Sequence, residues 1–235
     1  RSGIKLLDVA SGPGYVAAEA ARRKLDVVGT DIAKNMVAEA RRRFAGVQFE
    51  IADAENLHYP DSSFDAVTCA FGMLHFPRPG KAAAEACRVL RPGGRFAFSI
   101  WCGPAKALVL SLIADTVQRH VDGSVSLPAG PGIFTLSDPW ILTALMEAAK
   151  FSDVRIEEVA CCALVYLHAV REVGRIEWTS RQRRENTEFD RAQEYFRLPI
   201  GAADLEKSIC TRVFASHVHC SRSPFRLLVI EMRMR

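Results

Sequence analysis

Residues Leu6 to Ala20, LLDVASGPGYVAAEA, constrain this chain more than any other stretch. An apolar run ends in Asp8, turns through Ala10, Gly12 and Gly14, and enters a run with helical spacing. A strand that delivers into such a loop and then a helix builds a ligand site of nucleotide size. Glycine lacks a Cβ, so the backbone can approach a ligand closely and take up positive φ. The first turn of the helix behind the loop presents N–H groups that have no intrahelical partner. An acid one turn before the loop attracts a cation or hydroxyls and repels a phosphate.

Two ligand readings compete for the loop. Gly12-Pro13-Gly14-Tyr15-Val16-Ala17 fits the G-x-G-x-x-A dinucleotide fingerprint, and Asp31 lies 17 residues beyond Gly14, near the place of a ribose-binding acid. A tight strand-to-helix turn without a ligand is the plain alternative. Asp8 argues against a dinucleotide, because its carboxylate would face the pyrophosphate. It suits a ligand whose amino-acid end carries an ammonium and whose sulfur is a sulfonium.

Further segments follow in order. VVGTDI sets Asp31 at a strand end, where a carboxylate can accept both ribose hydroxyls. FEIADAENL brings Asp53 and Ala54 to the end of the next strand, placed to read an adenine amino group. FDAVTCAFGMLHF supplies a fourth strand running out to Phe71, Gly72 and His75, and RVLRPGGRFAFSIW gives a helix end, a Pro-Gly-Gly turn and a fifth strand. In this order the segments resemble the class I S-adenosylmethionine-dependent methyltransferases, above all the small-molecule group that includes the ubiquinone and menaquinone biosynthesis enzymes. The resemblance covers residues 3–101 closely, with residues 135–159 as a weaker extension. It implies S-adenosylmethionine as cofactor, with Asp8, Ala10, Gly12 and Gly14 at the methionine end. Asp31, Ile32 and Met36 would hold the ribose and adenine edge, Asp53 and Ala54 the adenine amino group, and Phe71 would close the site. Two positions depart from the family pattern. Ala10 stands where the family usually has Gly, which implies a stiffer loop, and His58 stands where it often has Pro.

The pattern from Ile4 to Trp101 alternates strands with amphipathic helices, as in a parallel sheet covered on both faces. Val16, Ala17, Ala20 and Ala21 share one side of the first helix, and Met36, Val37, Ala40 and Phe44 repeat the pattern over residues 34–44. Ser137 or Asp138 is placed to cap a later helix with Pro139 in its first turn. Val154, Ile156 and Val159 alternate as a strand, and Phe225 to Met232 reads as the last one, which the resemblance makes antiparallel. The expected fold is therefore a single α/β domain over residues 1–235, with a Rossmann-like, seven-stranded, mostly parallel sheet and helices on both faces. Residues 1–101 form its cofactor-binding half. Two segments exceed what the sheet needs, 103–136 and 169–223, and are read as helical lid insertions over the substrate. Added structural helices or a homodimer contact are the alternative use for them. Their content of Leu108, Leu110, Phe134, Trp178, Tyr195 and Phe196 favours a hydrophobic or aromatic acceptor.

Composition agrees with an ordinary globular enzyme. Hydrophobic residues make up 49% and charged residues 25%, and the net charge of +4 is too mild to imply nucleic acid. No signal-peptide pattern is visible, and no apolar run reaches membrane-spanning length. Arg1 is not a natural start residue, so native N-terminal residues are expected to precede it. The seven cysteines are scattered, with Cys69, Cys87, Cys161 and Cys162 in apolar runs, which reads as reduced buried thiols in a cytoplasmic protein.

The chemistry asks little of side chains. A sulfonium methyl is already activated, so transfer depends chiefly on alignment and exclusion of water. A phenol, amine or acidic carbon also needs a base, and His75, after the fourth strand at the mouth of the site, is the candidate. A loop histidine facing solvent is the plainer account. Trp101 is a candidate for the same pocket or an ordinary core tryptophan. No metal is expected: Cys210, His217, His219 and Cys220 lack paired ligand spacing. Arg181, Arg183 and Arg184 alternate with Glu177, Glu185 and Glu188, the pattern of a solvated helix face. The reading is methyl transfer to a small, hydrophobic or aromatic acceptor. The rivals are a nicotinamide-dependent oxidoreductase, a methyltransferase acting on RNA or protein, and a cofactor-binding protein of the same fold without methyl transfer.

Overall fold

The computed structural model describes residues 3–107, 110–112, 115, 119, 130–161 and 225–234. Short apolar runs become strands wherever both faces can be covered. Strand β1 (Lys5–Val9) carries Leu6, Leu7 and Val9, all buried. It is followed by α1 (Tyr15–Arg22), β2 (Asp26–Asp31), α2 (Lys34–Arg43), β3 (Gln48–Ile51) and β4 (Phe64–Ala70). A 3-10 turn over Gly72–Leu74 leads to α3 (Pro79–Val89) and β5 (Leu90–Trp101). A second 3-10 turn over Thr135–Ser137, helix α4 (Pro139–Ala148), β6 (Phe151–Cys161) and β7 (Phe225–Met234) follow.

The seven strands form one sheet in the order β3-β2-β1-β4-β5-β7-β6. Strands β1 to β5 run parallel, and β7 is antiparallel to both of its neighbours. The expected fold class is observed. Because β7 lies between β5 and β6 in reverse, the chain leaves β6 at Cys161 and re-enters β7 at Phe225 on the edge where β1 to β5 end. The insertion read at 169–223, with Trp178, Tyr195 and Phe196, lies outside the described residues, as do His217, His219 and Cys220.

Alternation within each strand divides the core between two faces. Leu7, Val9, Val67, Phe96, Phe98 and Phe151 pack against Ala83 and Ala86 of α3 and Leu142 and Met146 of α4. Leu6, Val27 and Ala66 face the other way, toward Ala17 and Ala20 of α1 and Val37 and Ala40 of α2. The small residues on the helices let them sit close to the sheet.

Two local expectations are sharpened. Asp138 is the cap of α4, its Oδ1 accepting from the backbone of Trp140 at 2.8 Å, while Ser137 Oγ donates to the Phe134 carbonyl instead. The Pro-Gly-Gly segment does not separate α3 from β5 as a free turn. It forms a bulge inside β5, where Leu90 pairs with Phe64 and the next partners are Arg95 and Ala66. Gly93, at φ 77, supplies the left-handed backbone of the bulge.

Candidate functional site

Strand order reverses between β1 and β4: one connection leads outward through β2 to β3, the other through β4 to β5. In an open parallel sheet the crevice beyond the strand ends at that point is where ligands bind. The loop Ala10–Gly14 lies there. Its backbone is tied down by the Ser11 N–H donating to the Thr30 carbonyl at 2.8 Å and the Gly14 N–H donating to the Ser11 carbonyl at 3.0 Å. Gly14 has φ 89, and a Cβ there would stand 2.6 Å from Cζ of Phe49. Both the conformation and the space exclude a side chain, so the helix starts from a point only glycine can occupy.

Asp8 lies beneath the loop, 1% exposed. Its Oδ1 accepts from Thr68 Oγ1 at 2.8 Å, while Oδ2 is buried without a hydrogen-bond partner. Burial pushes the carboxyl up to about 7, the Thr68 hydroxyl and then the Ala17 backbone N–H pull it back, and the nearby charge of Asp31 pushes it further up. A buried carboxylate oxygen without a partner is costly, and the cost falls away when a cation or donor arrives.

Asp31 ends β2 and is half-buried. Its Oδ2 accepts from the Gly12 N–H at 2.9 Å and its Oδ1 from the Ala33 N–H at 2.8 Å. It therefore clamps the glycine loop to the start of α2, beyond the ribose contact read from the sequence. Ile32 beside it is 69% exposed, and Met36 is half-buried on the first turn of α2. The Ala52 N–H donates to the Asp31 carbonyl at 3.2 Å, which brings Asp53 and Ala54 to the end of β2. Asp53 is exposed with Oδ1 accepting from the Glu55 N–H at 2.8 Å, and Ala54 is buried.

On the β4 side Phe71 adopts φ 58 and stacks on Trp101, ring centroids 4.6 Å apart and planes 34° from parallel. His75 follows the 3-10 turn, exposed, its N–H donating to the Gly72 carbonyl at 2.9 Å. The ten residues expected to bind the cofactor thus gather along the ends of four adjacent strands, β1 to β4, with His75 on the rim.

Residues 7–98 match the family model described as a methyltransferase domain. A demethylmenaquinone methyltransferase of Clavibacter sepedonicus is 31% identical over 186 residues, 74% of this chain and 76% of the relative. One of Deinococcus radiodurans is 36% identical over 162 residues, 63% of this chain and 67% of the relative. Among solved structures, an S-adenosylmethionine-dependent methyltransferase of Thermotoga maritima superposes with a TM-score of 0.55 at 17% identity, over 99% of this chain and 82% of that one. The chain belongs to the class I S-adenosylmethionine-dependent methyltransferases.

The residues of this methyltransferase fit S-adenosylmethionine on their own chemistry. The unpartnered Asp8 Oδ2 answers an ammonium group. A Cβ on Gly12 would meet nothing within 4 Å, so the loop is open to a ligand on that side. The exposed side chain of Ile32 offers an apolar wall for a purine. The dinucleotide reading of Gly12 to Ala17 gives way to this one, since Asp8 lies under the loop where a pyrophosphate would have to sit.

Sequence reasoning missed Thr68, although a hydroxyl in the middle of the apolar run FDAVTCA was a usable signal. It also missed the buried Glu55, which accepts from the backbone and Nε of Arg78 at 2.6 and 2.7 Å and ties the loop after β3 to the start of α3. His58, which departs from the family pattern, bonds Glu50 Oε2 at 2.9 Å, and Tyr59 Oη donates to the same oxygen at 2.6 Å. That pair buttresses the loop from outside the site.

Proposed function

We propose that this methyltransferase acts on a small, hydrophobic aromatic acceptor of the reduced-quinone class, in the cytoplasm. The observation that carries the reading is the Phe71–Trp101 stack at the ends of β4 and β5, a flat apolar wall beside the donor loop. The two demethylmenaquinone methyltransferases support the same class. Cys69 and Cys87 stand as free, buried thiols, which suits a reducing compartment. No described helix is long and apolar enough to cross a membrane.

In this reading Asp8 holds the ammonium of the donor, and Asp31 holds the ribose while keeping the loop in shape. Ile32 and Met36 line the adenine, Asp53 and Ala54 read its amino group, and Phe71 closes the site over the donor's reacting end. When bound, S-adenosylmethionine supplies a methyl group already activated on a sulfonium. The chain's part is alignment and the exclusion of water. His75 takes the acceptor's hydroxyl proton as the neighbouring ring carbon attacks the methyl. That carbon then loses its own proton to restore the aromatic ring, the hydroxyl is re-protonated, and the net proton passes to solvent from the exposed His75. Segments 103–136 and 169–223 would cover the acceptor, since the described ends of β5 at Trp101 and β6 at Cys161 lie on the ligand-bearing edge of the sheet.

The test is incubation with S-adenosylmethionine and a reduced naphthoquinone that lacks its ring methyl, read by mass spectrometry. A product carrying one added methyl, formed at least tenfold more slowly by His75→Ala, is expected. Transfer to amines with none to the quinol would overturn the acceptor class.

A further inference from the structure

Two neighbouring loops at the site each place a left-handed backbone on a residue that is not glycine: Ala10 at φ 53 and Phe71 at φ 58. Beside Phe71 stands Gly72, which is not among the residues with positive φ. Its lack of a side chain therefore has no conformational reason. The reason is space. A Cβ on Gly72 would come within 2.6 Å of Ala10 Cβ and 2.6 Å of Cys69 Sγ, with Phe76 Cζ at 3.2 Å. The methyl group that this chain carries where its family usually has glycine thus abuts the bare α-carbon of Gly72.

We propose that Ala10 and Gly72 are a size-matched positioning pair, in which the Ala10 methyl locks the donor loop against the turn that carries Phe71 and His75. The proposal rests on the donor-site reading above. Ala10 holds a strained conformation that glycine would hold freely, and strain of this kind persists where surrounding packing fixes it. Here the packing is Gly72. The donor-side loop and the acceptor-side turn then move as one body, so whatever orders the first also sets the aromatic wall of the second.

The test is a double-mutant cycle in a Cys69→Ala background, which removes the Cys69 Sγ and leaves only the looser Phe76 contact beside Ala10. Affinity for S-adenosylhomocysteine is measured by calorimetry and stability by thermal unfolding for Ala10→Gly, Gly72→Ala and both together. Gly72→Ala alone should weaken binding at least tenfold, and the swapped double variant should return to within about threefold of Ala10→Gly. If Gly72→Ala costs the same factor with Ala10 or with glycine at position 10, the pairing is wrong. If Gly72→Ala does not fold, a folded double variant that binds the ligand supports the pair, and a double variant that also fails to fold overturns it. Failure of the parent protein to bind S-adenosylhomocysteine would instead bring down the donor site itself, and the pair's role with it.

Discussion

The ends of β1 and β2 carry one aspartate each, on adjacent strands, and the fold treats them in opposite ways. Asp31 at the rim is half-buried and spends both oxygens on backbone N–H groups of Gly12 and Ala33. Asp8 at the floor is sealed from water, bonded on one oxygen by Thr68 and on the other by nothing. The first stabilises the empty protein. The second burdens it when ionised, and a proton or a ligand that brings a donor or positive charge relieves the burden. A site can thus hold one acid fixed before any ligand arrives and one left open for it, told apart by their partners rather than by residue type.

Substitutions at Asp8 should break this contrast most visibly. Asp8→Ala is expected to weaken S-adenosylhomocysteine binding by about 3 kcal/mol, roughly a hundredfold, because an ammonium would lose its buried counter-charge. Asp8→Asn should show the same loss of binding and yet unfold at a higher temperature at pH 8. The folded protein holds the Asp8 proton to about 7, well above the ordinary carboxyl value, so it binds more protons than the unfolded chain over that interval. Its stability contribution therefore falls as pH rises toward 7 and stays low above it. The advantage of Asp8→Asn should shrink on acidification and vanish near pH 4. A lower unfolding temperature for Asp8→Asn at pH 8 would show that Oδ2 is satisfied within the protein.

The same shift makes binding depend on pH. Affinity for S-adenosylhomocysteine should fall as pH drops through about 7, because a neutral Asp8 must lose its proton to meet the ammonium. Asp31→Ala should move that midpoint to lower pH, since the Asp31 charge is one cause of the raised value. Affinity at pH 8 should drop by about 1.5–3 kcal/mol in the same variant, from the lost ribose contact and the loosened Gly12 amide. An unmoved midpoint in the pH titration of Asp31→Ala would mean that the two acids do not feel each other.

How much of this could be read from the chain differs between floor and rim. The placement of strands and helices along the chain, and the acids Asp8, Asp31 and Asp53 at strand ends, are legible because short apolar runs and acids at their ends are local features. The antiparallel β7 came from the resemblance, since strand direction leaves no trace in period-two alternation. What stayed hidden depends on contacts between distant residues. Thr68 meets Asp8 across 60 positions, and Gly72 owes its identity to Ala10 and Cys69. The Pro-Gly-Gly signal reads locally as a turn ahead of the strand, whereas its absorption into β5 as a bulge depends on pairing with β4. Asp31 was assigned to a ligand alone because nothing local announces that its oxygens reach Gly12, 19 positions back.

A third acid sharpens the comparison at its small end. Glu55 is nearly as buried as Asp8, yet it accepts from both the backbone and the guanidinium of Arg78. If partners rather than burial decide what a buried acid does, Glu55→Gln must behave as the inverse of Asp8→Asn. It should lower stability by about 1 kcal/mol, because a charge-assisted bond to a buried oxygen is weakened, while the largely exposed Arg78 guanidinium can turn to water. S-adenosylhomocysteine affinity should stay within about twofold, a difference too small to exceed the few tenths of a kcal/mol expected for an independent site. Thermal unfolding and calorimetry on the two variants side by side give the four numbers required. Should Glu55→Gln lose binding as steeply as Asp8→Asn, the loop after β3 would belong to the donor site, and burial alone would account for both acids.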